Sequence, residues 1–203
     1  MDVQKIKKDL QAYYNAEALD REAGDRNEFK LRLRDKFCAM AKAEDKHSLL
    51  ELGAGPGKDS KFFTDNGFTV TAVDLSTEMV GLCRQKGVEA YEMDFYTLSR
   101  IGKRFDCVWA MNCLLHVPKS DLDLVLDEVD AVLAPSGLFY MGVWGGEDSE
   151  SFKTREEYPA ARFFSFFSDE RLKDMLSKHF DILDFENVHE EGFCHQSVFM
   201  RKR

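Results

Sequence analysis

Apolar positions along this 203-residue chain recur at two spacings, and the spacing changes along it. Over residues 3–16 they fall at Ile6, Leu10, Tyr13 and Tyr14, and over 26–43 at Phe29, Leu33, Phe37 and Met40. Steps of three and four predict two amphipathic helices. From residue 47 onward, short apolar runs at 47–52, 68–74, 88–93, 105–111 and 137–143 predict strands. Helical patterns at 58–66, 77–86 and 119–133 lie between them. Strands alternating with helices imply a parallel sheet with right-handed crossovers, so the fold class is α/β. Ser168-Asp169-Glu170 predicts a helix N-cap with acids in the first turn, opening a helix to about residue 178. Apolar strands near 180–188 and 197–201 then predict an antiparallel edge. Segment 145–167 follows neither spacing. It is rich in aromatic and charged residues and follows a strand's carboxyl end, where open α/β sheets form their ligand crevice.

Length and composition fit one domain of 1–203. Its parts are a helical cap (1–45), a core (46–145), an insert over the mouth (146–167) and a terminal helix with a strand pair (168–203). No apolar run approaches the roughly 18 residues of a transmembrane helix. The first residues lack the apolar segment of a signal peptide, so a cytoplasmic protein with no membrane partner is expected. Five cysteines, odd in number and without a Cys-x-x-Cys pair, predict reduced thiols rather than disulfides or zinc. No metal-ligand spacing occurs. A net charge of −9, with bases interspersed among acids as in 30–36, argues against a nucleic-acid partner.

The run Leu49-Leu50-Glu51-Leu52-Gly53-Ala54-Gly55-Pro56-Gly57 joins a buried strand to a helix. Glycines there allow a sharp turn and close approach of backbone to a ligand. A phosphate loop would need glycine at position 52 and a hydroxyl residue at 59, where Leu52 and Asp59 stand. A dinucleotide fold would place its third glycine one residue later. The third pattern, an acid on the strand before three alternating glycines, suits a ligand with a cationic head. Asp74 ends the next strand and can accept hydrogen bonds from both hydroxyls of a ribose. Asp94 with Phe95 ends the following one and suits an amino-purine, the acid taking its exocyclic amine and the ring packing on it. Three acids on successive strand ends read as a nucleoside site.

These segments resemble the class I S-adenosylmethionine-dependent methyltransferases, in particular their small-molecule branch, over about residues 47–145. Residues 51–57 resemble the first motif, Val73-Asp74-Leu75-Ser76 with Met79 the second, Met93-Asp94-Phe95 the third, and 105–117 the fourth-strand segment. Leu133-Ala134-Pro135-Ser136-Gly137 resembles the turn before strand five, with Ser136 in place of the usual glycine. The resemblance implies a Rossmann-like, doubly wound sheet of seven strands, order 3-2-1-4-5-7-6, the last antiparallel. It implies S-adenosylmethionine as cofactor and S-adenosylhomocysteine as product. Glu51, Gly53, Ala54, Gly55 and Gly57 would lie against the methionine moiety, and Asp74, Leu75, Ser76 and Met79 around the ribose. Asp94 and Phe95 would hold the adenine, Ala110, Met111 and Asn112 the sulfonium side, and Tyr14 would close over it.

The acceptor is then a small molecule with a nitrogen or oxygen nucleophile, since 111–116 lacks the Asn/Asp-Pro-Pro-Tyr/Phe motif of nucleic-acid members. His116, beside the expected methyl position, is the candidate catalytic residue and substrate contact. His195, Trp144, Arg155, Tyr158 and Arg162 are further substrate candidates, the arginines for an anionic group. A protein methyltransferase or a non-catalytic cofactor-binding regulator are the alternatives. A monomer or homodimer is expected.

Overall fold

The computed structural model describes residues 2–190 and 193–203. Three helices come first: α1 (Val3–Ala16), α2 (Ala18–Ala23) and α3 (Glu28–Ala43). Strand β1 (Ser48–Leu52), α4 (Lys58–Asp65), β2 (Thr69–Asp74), α5 (Thr77–Gln85) and β3 (Glu89–Glu92) form the first half of the core. The second half is β4 (Phe105–Met111), α6 (Leu122–Val132) and β5 (Leu133–Gly145). A hairpin of β6 (Ser149–Lys153) and β7 (Arg162–Phe166) precedes α7 (Asp169–His179), β8 (Phe180–Glu190) and β9 (Phe193–Lys202).

The main sheet runs β3-β2-β1-β4-β5-β9-β8. The insert carries two strands of its own in a separate sheet, so the expected sixth and seventh strands are β8 and β9 and the order is the expected one. Strand β9 runs antiparallel to both neighbours. Because side chains alternate across a strand, adjacent residues feed opposite faces. Leu49, Cys107, Trp109 and Tyr140 pack with Phe29, Leu33 and Phe37 of α3 on one face. Leu50, Val108, Phe139 and Met141 pack with α6 and α7 on the other. With both faces covered, β1 and β4 are apolar on both sides, interrupted only by Ser48 and Glu51 in β1 and Asp106 in β4.

Helix α2 and the hairpin are additions to the periodic pattern. Helix α2 has six residues, of which only Ala18 is buried. The hairpin leans on α1 through Phe163, which packs with Ile6 and Leu10. Ser168 does cap α7, its Oγ accepting from the Arg171 N–H at 3.3 Å. No helix among the described residues is long and apolar enough to cross a membrane.

Candidate functional site

Strands β2, β1 and β4 lie side by side, so their carboxyl ends open at one place. There a cavity of about 1420 Å³ runs from the glycine turn to the underside of the hairpin. That exceeds the ~300–1,000 Å³ of a site for one drug-sized ligand and leaves room for a nucleoside and a second molecule.

The turn after β1 holds Gly53, Gly55 and Gly57 at φ of +59°, +55° and +77°. A Cβ on Gly53 would stand 2.4 Å from the Cβ of Cys113, and one on Gly57 2.8 Å from Cys83 Sγ. Gly55 faces open space instead. Its N–H donates to Asp74 Oδ2 at 2.8 Å, while Asp74 Oδ1 accepts from the Ser76 N–H at 2.9 Å. The carboxylate at the end of β2 is thereby locked in place, and burial pushes its pKa upward despite these donors. Ser76 stands behind it, capping α5 and donating to Asn15 Oδ1 at 2.6 Å.

Glu51 is buried at the end of β1, accepts from the Ser60 hydroxyl, and makes no ion pair among the described residues. Burial first, then the charge of Asp59, pushes its pKa up to about 8. A neutral acid facing a cavity is a poised partner for a cation. Asp59 is held differently, by Arg26 at 2.5 Å and by Trp109 Nε1 at 3.1 Å.

Asn112 follows β4 at φ +56°, its N–H donating to the Gly142 carbonyl at 2.7 Å. His195 Nε2 donates to Asn112 Oδ1 at 3.1 Å, and its Nδ1 accepts from Ser197, which accepts from the Tyr140 hydroxyl. With its oxygen taken, Asn112 has its amide nitrogen left for the cavity. His195 itself is fully buried and does not line the cavity; burial lowers its pKa to about 3.

His116 sits where Tyr14 of α1, β4 and the hairpin meet. The Phe163 carbonyl can only accept, so His116 Nδ1 donates to it at 2.6 Å. Nε2 then accepts from the Tyr14 hydroxyl, also at 2.6 Å. Burial is the main cause that lowers the pKa of His116 to about 3, so the ring is neutral with both nitrogens occupied.

Of the residues expected from the sequence, Tyr14, Glu51, Gly53, Ala54, Gly55, Asp74, Leu75, Met79, Phe95, Met111, Asn112 and His116 line this cavity. Trp144, Arg155, Tyr158 and Arg162 line it as well. Gly57, Ser76 and Ala110 are not among its lining residues. Asp94 borders a small apolar cavity of about 50 Å³ beside Leu75 and Phe95. There it pairs with Lys7 Nζ at 2.7 Å and accepts from the Tyr96 N–H at 3.0 Å.

The sequence reading missed the polar rim. Glu17 and Arg21 pair with each other, Arg155 Nη1 lies 3.6 Å from Glu17, and Tyr158 donates to Asp20 at 2.9 Å. These contacts tie α2 to the hairpin across the cavity mouth. No periodic signal could have found them, because α2 is short and polar.

Residues 49–137 match the family described as a methyltransferase domain. The malonyl-(acyl-carrier protein) O-methyltransferase of Enterobacter lignolyticus is 30% identical over 157 residues, 74% of this chain and 61% of that protein. The chain thus spans about three-fifths of the length of that relative. The structure also resembles the 1,6-didemethyltoxoflavin-N1-methyltransferase of Burkholderia thailandensis, solved with 1,6-didemethyltoxoflavin and S-adenosylhomocysteine bound. The TM-score is 0.76 at 22% identity, covering 100% of this chain and 91% of that one. The magnesium protoporphyrin IX methyltransferase of Synechocystis PCC 6803, solved with S-adenosylmethionine, has a TM-score of 0.71 at 15% identity, with 97% of each chain covered. The matched domain covers the strands and the glycine turn that form the cavity, and the fold of the whole chain is shared with solved methyltransferases that hold S-adenosylmethionine or S-adenosylhomocysteine.

Proposed function

We propose that this protein binds S-adenosylmethionine in the large cavity and transfers its methyl group to a small acceptor under the hairpin. The observation that carries the reading is that Glu51, Asp74 and Asn112, at three neighbouring strand ends, open on one cavity that continues beneath the hairpin. The uncompensated acid at Glu51 fits the positive charge of the donor, and Asp74, fixed by two backbone N–H groups, fits a ribose. Phe95 and Leu75 supply apolar walls for the adenine, with Asp94 beyond them.

The donor supplies an electrophilic methyl group, so the protein's task is to align the acceptor and exclude water. Tyr14, His116 and the hairpin close over the site for that purpose. His116 acts by holding Tyr14, not by taking a proton, because its one basic lone pair is already used. A nitrogen or oxygen acceptor that arrives with a free lone pair suits such a site.

Thermal unfolding with S-adenosylhomocysteine, S-adenosylmethionine and NAD tests the binding step. A hundredfold excess over the dissociation constant stabilises by about 2.7 kcal/mol. Both sulfur nucleosides should shift the midpoint and NAD should not. Asp74→Asn should remove most of the shift. Indifference of the wild-type protein to both sulfur nucleosides would overturn the reading.

A further inference from the structure

The hairpin sets Lys153 directly opposite Arg162. Like charges facing each other across an antiparallel pair repel, so this register is unfavourable unless something negative lies between them. Both side chains line the large cavity. Neither pairs with a carboxylate among the described residues, whereas Arg21 and Arg155 share Glu17, and Arg26 is held by Asp59. Arg162 Nε is buried without a hydrogen-bond partner.

Aromatic rings hold the two cations instead. The Arg162 guanidinium lies 4.4 Å from the ring centre of Tyr13 and 5.1 Å from that of Phe164. Lys153 Nζ lies 5.4 Å from Phe164 and 4.8 Å from Phe166. Ring faces steady a cation but leave its net charge in place. The charge of Arg162 is felt at Tyr14, whose hydroxyl donates to His116, and at His116 itself. That charge is therefore delivered next to Tyr14 and His116, where the acceptor atom is expected. Both nitrogens of His116 and of His195 are occupied, so neither histidine serves as a base there.

We propose that the acceptor atom is a carboxylate oxygen held by Arg162, with Lys153 adding charge, and that the product is a methyl ester. This rests on the methyltransferase reading above. A guanidinium matches a carboxylate through two parallel N–H···O bonds, which a hydroxyl or amine cannot reproduce. A carboxylate also arrives ionised at neutral pH, so no base is needed. A lone pair on its oxygen forms the new bond to the methyl carbon while the methyl–sulfur bond breaks, its electron pair passing to sulfur. The carboxylate and sulfonium charges cancel and no proton is released. The neutral ester then faces Arg162 without charge attraction, which favours its departure.

The test uses the full chain saturated with S-adenosylhomocysteine, titrated at constant ionic strength with benzoate, phenylacetate and their methyl esters, and read by calorimetry and thermal shift. The acids should bind and the esters should bind at least about tenfold more weakly. Arg162→Gln should weaken the acids by about ten- to a hundredfold, from the loss of charge-assisted hydrogen bonds. Arg162→Lys and Lys153→Gln should lose less, and Arg104→Gln, on an exposed stretch, should lose nothing. The S-adenosylhomocysteine shift in each variant reports that it is folded. Wild-type protein indifferent to both acids, esters binding as well as acids, or acids binding Arg162→Gln and Arg162→Lys as they bind wild type would each overturn the proposal. If S-adenosylhomocysteine itself fails to shift the wild type, the underlying reading fails instead.

Discussion

Glu51 holds its proton in the folded protein at pH values where the unfolded chain has lost it, because burial and the nearby Asp59 raise its pKa to about 8. Its contribution to stability is complete below the ordinary carboxylate range and is lost as pH rises through about 8. A cation bound beside it reverses the preference and drives the proton off. Binding of S-adenosylmethionine near neutral pH is therefore expected to release up to about one proton. Calorimetry in buffers of different ionisation heat measures this, and Glu51→Gln should release none. Gly53 is constrained by geometry rather than charge. Gly53→Ala combines a left-handed φ with a 2.4 Å contact on Cys113. It should cost about 2–4 kcal/mol, read from the urea midpoint. A loss under about 0.5 kcal/mol would show that the turn and Cys113 can move apart.

At the scale of elements, the hairpin is held from two sides with contacts of different kinds. Phe163 and the Phe163 carbonyl anchor β7 to α1 and His116 in the buried interior. Arg155 and Tyr158 reach α2 across exposed ion-pair and hydroxyl contacts that solvent weakens. The outer contacts should therefore open first. Tyr158→Phe should leave the melting temperature nearly unchanged while amide exchange over 149–166 quickens. Unaltered exchange would mean that the Asp20 contact does not restrain the hairpin. Ser168 does a separate job, capping α7 and donating to Asp148 Oδ2 at 3.2 Å. Its replacement by Ala should cost about 1 kcal/mol.

Across the whole molecule, core packing and site geometry share one support. Trp109 on β4 stacks on Tyr140 of β5 with ring centres 4.0 Å apart, and its Nε1–H reaches Asp59 in the first turn of α4. Asp59 in turn fixes Arg26, in the segment that leads into α3 and lines the cavity. Trp109→Phe preserves an apolar ring but strips a donor from a buried carboxylate, costing about 1–3 kcal/mol. It should also weaken S-adenosylhomocysteine binding, because α4 starts at the glycine turn. A stability loss with unchanged binding would separate the core from the site.

The alternation of apolar runs and helical spacing was enough, from the sequence by itself, for the strands, the crossovers and the acids at their ends. Burial on both faces writes itself into consecutive residues, and a strand end is where that pattern stops. Strand order came through resemblance of motifs, and it agrees with the structure. The depth of His195, the capture of Asp94 by Lys7, the clasp between α2 and the hairpin, and the facing of Lys153 and Arg162 were decided only by tertiary structure. Each depends on segments far apart in the chain meeting in space, and local spacing carries no record of such meetings. His116 shows the division within one residue: its position after β4 marked it as a site residue, while burial in the folded chain set its charge state and the 2.6 Å contact with Tyr14 took its lone pair.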